Sequence, residues 1–322
     1  MKIHLRNQPL FSLLLSVTII ASIDPTSAQN FSTTYVPADK SFLNCGVPTL
    51  SATPSIQDPS IPTVPYMTAR IFKTPYTYTF PVIPGRKFVR LHFYPTDYAI
   101  TNLNINFTVS LSFFNVSVGS YIFLDNFSAL LNAQAINKHY FIKEFSVHIS
   151  SNRLDLTFAP SKNNTFAFVN GIQIVSMPQI FGSSDPFNQP KIVGTTATLT
   201  INENTAFETV ARLNSMPGSS TTWLHFCEIA YLVTKVNMRV FDIFINNMTA
   251  VQGLDVIAYT NGGGIGAPIY LDFIMYLRNT SINTSSSQDV WVALHPDIDS
   301  KPELYDAELN GLEIFKFVQD IR

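Results

Sequence analysis

Charge is scarce in this 322-residue chain: Asp, Glu, Lys and Arg together make up 13% of it, about half the usual share of a globular protein. With 20 Lys+Arg against 22 Asp+Glu the net charge is -2. There is no basic field to hold nucleic acid and no acidic tail. Cysteine is almost absent, and Cys45 and Cys227 alone cannot staple a secreted fold, so packed cores must supply the stability. A Cys45–Cys227 bridge stays open at this level, because sequence does not give the Cα separation of about 6 Å that a disulfide needs. Catalytic signatures are missing too. The chain has no His-Glu-x-x-His, Gly-x-Ser-x-Gly, phosphate loop or Cys-x-x-Cys, and neither kinase signature, His-Arg-Asp or Asp-Phe-Gly. Gly262-Gly263-Gly264-Ile265-Gly266 lacks the Lys-Ser/Thr of a phosphate loop and reads as a flexible loop.

What is present is apolar: 46% hydrophobic and 13% aromatic residues, including 26 Phe, which excludes disorder over most of the length. Lys2, His4 and Arg6 precede an apolar run from Leu10 to Ile20, and Thr26-Ser27-Ala28 offers small residues at a cleavage position. This pattern predicts a signal peptide over residues 1–28. The apolar run is shorter than the roughly 20 residues that span a bilayer, and no later stretch is long enough. Asn-x-Ser/Thr acceptors at Asn30, Asn106, Asn115, Asn126, Asn163, Asn247, Asn279 and Asn283 predict a glycan coat over a charge-poor surface. The expected location is therefore secreted, in the cell wall or apoplast, or at the plasma membrane if the chain is part of a receptor.

Blocks of sequence recur in order. Val89-Arg90-Leu91-His92-Phe93-Tyr94 returns as Thr222-Trp223-Leu224-His225-Phe226-Cys227, and Phe168-Val169-Asn170-Gly171-Ile172 as Glu308-Leu309-Asn310-Gly311-Leu312. Between them, Phe107–Leu111 with a sequon at Asn115 matches Phe241–Ile245 with a sequon at Asn247. Two copies of one domain follow. Within each copy the period is two: Val89, Leu91 and Phe93 alternate with Arg90, His92 and Tyr94, and Phe145–Ile149 and Leu154–Phe158 read as two strands joined by a polar turn. Twenty prolines argue against long helices, and the best helical segment is short, Ala129 to Ile136. The expectation is an all-β protein of two tandem β-sandwiches, residues 29–178 and 192–322, joined by a Pro- and Gly-containing linker over 179–191.

The ordered blocks resemble the tandem malectin-like ectodomain of plant FERONIA-type receptor kinases. Pro65–Phe72, Tyr76–Val82 and Pro84–Pro95 are similar to the first malectin-like domain. Leu224–Glu228, Arg239–Phe241, Asp255–Ala258, Trp291–Pro296 and Leu309–Lys316 are similar to the second. The resemblance covers nearly all of the chain after the leader and implies a jelly-roll-like fold. It also implies a non-catalytic extracellular sensor binding rapid alkalinization factor peptides, with a GPI-anchored co-receptor, and cell-wall pectin. Departures accompany it. The family's Gly-Arg-x-Trp stretch is missing after Cys45-Gly46, and Asn214 is followed within nine residues by Trp223 where the family has a long segment. Each copy is expected to lack part of its N-terminal edge, the second most of all, and the chain reads as a truncated receptor-like protein without transmembrane helix or kinase domain.

The leading functional expectation is a binding module for wall polysaccharide or a secreted signalling peptide, with no cofactor. The alternatives are a fragment of a membrane receptor-like serine/threonine kinase and, from another class, a wall glycosidase. For an acidic sugar, Arg70, Arg86, Lys87 and Arg90 supply charge, while Tyr76, Tyr78 and Tyr94 supply stacking faces. His92 and His225, one per copy, read as strand residues and not a metal site. Asp297, Asp299, Glu303, Asp306 and Glu308 match no calcium loop and read as a solvated acidic loop.

Overall fold

Alternation along Gly85–Phe93 puts Val89, Leu91 and Phe93 wholly inside, and the rest of the first copy is assembled around that strand. A computed structural model describes residues 2–5, 36–45, 51–100, 106–177, 190–198, 201–202, 204–214, 224–260, 264–275 and 288–320. Strand β6 (Gly85–Phe93) lies between β14 (Gly171–Ser176) and β11 (Phe141–Ile149), and β14 pairs on its far side with β2 (Lys40–Asn44). The second copy repeats this row. There β17 (Leu224–Cys227) lies between β23 (Gly311–Phe317) and β20 (Pro268–Leu271), and β23 pairs with β16 (Phe207–Asn214). Because β16 also pairs with β11, through Phe207↔Ser146 and Glu208↔Phe145, the two rows join edge to edge as one eight-stranded antiparallel sheet.

Each half of that sheet is faced by a smaller one. In the first copy the order is β24 (Gln319–Asp320), β10 (Tyr121–Phe127), β9 (Phe114–Val118), β12 (Arg153–Pro160) and β5 (Tyr76–Pro81). In the second it is β19 (Met248–Leu254), β18 (Phe241–Ile245), β22 (Gln288–Pro296) and β1 (Lys2–Leu5). Apolar residues from both layers fill the space between: Val89, Leu91, Phe93, Phe145, Phe114, Leu156 and Phe158 in the first copy, and Leu224, Phe226, Phe241, Ile243, Val290 and Leu312 in the second. A further sheet of β13 (Ala167–Val169), β4 (Ala69–Phe72), β3 (Ser51–Pro54), β7 (Tyr98–Ile100) and β8 (Asn106–Phe107) belongs to the first copy, and β15 (Lys191–Ile192) pairs in parallel with β21 (Phe273–Ile274). Helices are short: α1 (Thr63–Tyr66), α2 (Ala129–Ile136) and α3 (Val256–Tyr259). The segment foreseen as helical is α2, started by Ser128, whose hydroxyl accepts the Leu131 N–H, and ended by Asn137 in the left-handed region. Its counterpart α3 uses Asp255 in the same way.

Several expectations need amendment. The polar turn at residues 150–152 does not close a hairpin: β11 and β12 lie in facing sheets, so the turn carries the chain from one layer to the other. The partner of Phe241–Ile245 is β9, not Phe107–Leu111. Both β9 and β18 pair with the hairpin strand that follows them and with the strand ending in Pro160 or Pro296. Periodicity could not separate the two candidates, because both alternate. The first copy has β2 to β5 before its central strand, whereas in the second, among the described residues, β16, the counterpart of β2, is followed directly by β17. Cys45 and Cys227 are free thiols, one in each copy.

The recurrent Asn-Gly pair has a shared task. Asn170 donates its N–H to the His92 carbonyl and accepts the Tyr94 N–H at 2.7 Å. Asn310 does the same with the His225 carbonyl and the Cys227 N–H, also at 2.7 Å. Each copy thus ties the end of its central strand to the strand beside it. Gly171 serves close approach and not an unusual φ, since a Cβ there would stand 2.8 Å from Pro65.

Candidate functional site

Three of the seven candidate residues meet at the outer edge of the first copy. Strand β5 ends its sheet, so Tyr76 is 39% exposed while Tyr78 packs partly against the core. Arg70, on the adjoining β4, lies with its guanidinium carbon 5.1 Å from the Tyr76 ring centre and 5.9 Å from that of Phe72. Phe72 stacks on Tyr76 at 5.2 Å and on Phe158 at 5.5 Å, and Tyr76 meets Tyr78 edge-on at 4.9 Å. An aromatic ladder rooted in the core therefore carries one cation at its exposed end. Lys73 repeats the arrangement over Phe166 at 5.8 Å. Among the described residues neither Arg70 nor Lys73 has a carboxylate partner, which is the state of a charge available to an anion. Beneath the ladder, burial pushes the Cys45 thiol up to about 12 and raises the Tyr78 hydroxyl, so both stay neutral.

The other four candidates lie elsewhere. Arg86 and Lys87 are each 1% exposed and serve the fold, not a ligand. Arg86 donates to Ser146 Oγ at 3.1 Å and to the Thr205 carbonyl at 2.9 Å, with its guanidinium over Phe207, and so fastens the second copy to the first. Lys87 pairs with Asp39 at 3.0 Å and donates to Ser176 Oγ at 2.9 Å. A basic doublet in sequence looks solvated, but the second copy covers Arg86 and the segment before β2 covers Lys87. Arg90 is on the eight-stranded sheet, neutralised by Glu144 and bonded to Gln173. Tyr94 is buried in a small cluster with Ile61 and Tyr66.

A second polar group escaped the sequence reading. Arg239 bonds Glu228, Asp306 and Glu308 together, so two residues of the supposed solvated acidic loop are structural. Burial, and then the Glu228 charge, push Glu308 up to about 7. Only the spacing of one arginine among many acids could have signalled it, and that spacing spans three segments. His92 is buried, bonds the Tyr66 hydroxyl at 3.1 Å, and is lowered to about 4 by burial and by Arg90. Among the described residues no His, Cys, Asp and Glu group is arranged to hold a metal ion, and no helix is long and apolar enough to cross a membrane.

Of the sequons, Asn126, Asn163 and Asn247 are exposed, and Asn247 sits with Asn246 at a hairpin tip where both have positive φ. Asn115 is half-buried and accepts bonds from Asn126 N–H and Ser161 Oγ. Asn106 begins β8. Asn30, Asn279 and Asn283 lie outside the described residues, as do nearly all of the predicted leader and most of the linker.

Residues 179–317 match the malectin-like domain family. The chain is 34% identical to the receptor-like protein kinase FERONIA of Arabidopsis thaliana over 416 residues, covering 95% of this chain and 44% of that one. It is 31% identical to ANXUR1 of the same plant, covering 86% and 41%. The chain thus spans less than half the length of these curated relatives. The FERONIA alignment is also longer than the whole chain, so the relative carries segments inside the matched region that are missing here. Among solved structures, the FERONIA chain of a complex between the plant peptide RALF23, FER and LLG2 matches with a TM-score of 0.72 at 34% identity, covering 88% of this chain and 96% of that one. The ANXUR1 extracellular domain matches with a TM-score of 0.72 at 27% identity, covering 87% and 97%. With sandwich, repeat and sequence in agreement along nearly its full length, the chain belongs to the family of FERONIA-type malectin-like receptor kinase ectodomains.

Proposed function

We propose that this chain is a non-catalytic extracellular binding protein that engages a secreted signalling peptide together with a GPI-anchored co-receptor. The observation that carries the reading is the match to 96% of the FERONIA chain in a complex with RALF23 and LLG2. Interferometry with the secreted full chain, a peptide of that class and an LLG-type co-receptor tests it. Ternary binding stronger than either pair is the expected result, and no binding in any combination overturns it. Reading the transcript beyond Arg322 separates a secreted binder, acting as decoy or co-ligand, from the outer part of a receptor kinase.

A second reading rests on Arg70. An uncompensated guanidinium stacked on an exposed tyrosine suits a carboxylated sugar such as a pectin fragment: the carboxylate meets the cation and the ring face packs on the aromatic. Binding of oligogalacturonide should weaken with salt. Arg70→Ala should weaken it about tenfold, a loss of ~1.4 kcal/mol, whereas Arg90→Ala, whose charge Glu144 already neutralises, should leave it unchanged. Equal effects of the two variants would remove the Arg70 site. The full chain is the proper sample, because residues 204–207 and β24 of the second copy pack on the first.

A further inference from the structure

Among the described residues the second copy has no counterpart of β5, and the N-terminal residues sit in its place. In the first copy β5 pairs with β12 on the side away from β9, placing Phe80 opposite Leu154 and Tyr78 opposite Leu156. The pairs Phe114↔Pro160 and Phe241↔Pro296 are equivalent, which makes Val290 and Val292 the counterparts of Leu154 and Leu156. All four are buried. On β22 the edge that β5 would occupy is filled by β1, in register Lys2↔Trp291, Ile3↔Val290, His4↔Asp289 and Leu5↔Gln288. Ile3 thus holds the position of Phe80. Yet residues 2–5 fall inside the leader whose removal at Ala28 the sequence predicts. From Val290 to Leu294 the strand carries no charge and no proline, so it has none of the usual guards of an open edge.

We propose that removal of the leader opens this edge and that the processed protein binds an extended peptide there as an added strand antiparallel to β22. The occupant carries an aromatic or branched aliphatic residue at every second position, as β5 does at Tyr78 and Phe80. A peptide fits better than a second copy, because among the described residues β1 pairs with β22 alone. A short strand with no sheet of its own is therefore accepted. The inference shares with the functional reading only the expectation of secretion, and does not depend on Arg70.

The test uses the full chain secreted from eukaryotic cells, with its N-terminus read by mass spectrometry, and hydrogen exchange followed over residues 288–296. The probe is a synthetic peptide of the Tyr76–Pro81 sequence, beside the same peptide N-methylated at alternate residues. In the processed protein the edge amides should exchange freely. Saturating peptide should slow them about tenfold, and the methylated peptide should not. Retention of Met1, protection without peptide, or no response to peptide overturns the proposal. Protection that grows with protein concentration alongside a dimer mass assigns the edge to a second copy and overturns it equally. None of these outcomes bears on oligogalacturonide binding, which Arg70→Ala reports separately.

Discussion

Single residues decide how tightly each copy is closed. Gly171→Val places new atoms against Pro65, where even a Cβ would be 2.8 Å away, and should destabilise the protein by about 1–3 kcal/mol, the usual effect of overpacking. Gln173→Val, on the outer face beside Phe42 and Arg90, should change it by less than about 0.5 kcal/mol. Urea melts of the two variants check the difference. Titratable residues pull in opposite directions. Glu308, held above its ordinary value by burial and Glu228, binds its proton more tightly when folded than when unfolded. Its favourable contribution is complete below pH 4.5 and is lost as pH rises to about 7. His92, lowered to about 4, is kept neutral by the fold, so its contribution is complete above 6.5 and is lost as pH falls toward 4. The two windows overlap from pH 4.5 to 6.5, where the contributions offset each other, so melting temperature measured from pH 4 to 8 should form a broad plateau there. Glu308→Gln should leave the His92 contribution unopposed, so that the variant's melting temperature climbs from pH 4 to 6.5 and then levels off.

Among the elements, the N-terminus of α2 combines two roles. Ser128 caps the helix and is also the hydroxyl residue of the Asn126 sequon. Ser128→Ala should cost about 1 kcal/mol through the lost cap and abolish any glycan at Asn126. Asn126→Gln should remove the glycan while keeping the cap, and Ser128→Thr should keep both. Mass spectrometry with thermal melts of the three variants separates the roles. Strand β16 is the element that unites the molecule: Phe207, 1% exposed, lies beneath the Arg86 guanidinium and against Phe317.

At the scale of the whole molecule, the two copies share one sheet. The last strand, β24, also returns to pair with Tyr121 and Ile122 of β10, and the Tyr121 hydroxyl bonds the Asn204 carbonyl. Such interlocking predicts one cooperative transition by calorimetry. Phe207→Ala, which empties a site between the copies at a cost of about 3–5 kcal/mol, should split that transition in two. A single peak in the variant would mean that the copies remain coupled without this contact.

What the sequence determined by itself was local or repetitive. Alternation along β6, β11 and β12, the short helix at α2 and the duplicated Asn-Gly blocks were legible, because apolar period and repeat spacing are written along the chain. The family resemblance lay in the same blocks. Tertiary structure alone decided which charges are free. Arg86 and Lys87 stand beside each other in a strand that reads as half-solvated, yet both are covered by segments far away in sequence; Arg70 looks no different in sequence and is left uncompensated on an aromatic ladder. The Arg239 cluster, the edge pairing of β11 with β16 and the filling of the β5 position by residues 2–5 were hidden for the same reason. Burial and pairing are set by contacts between distant segments, and a pattern of near neighbours carries no record of them.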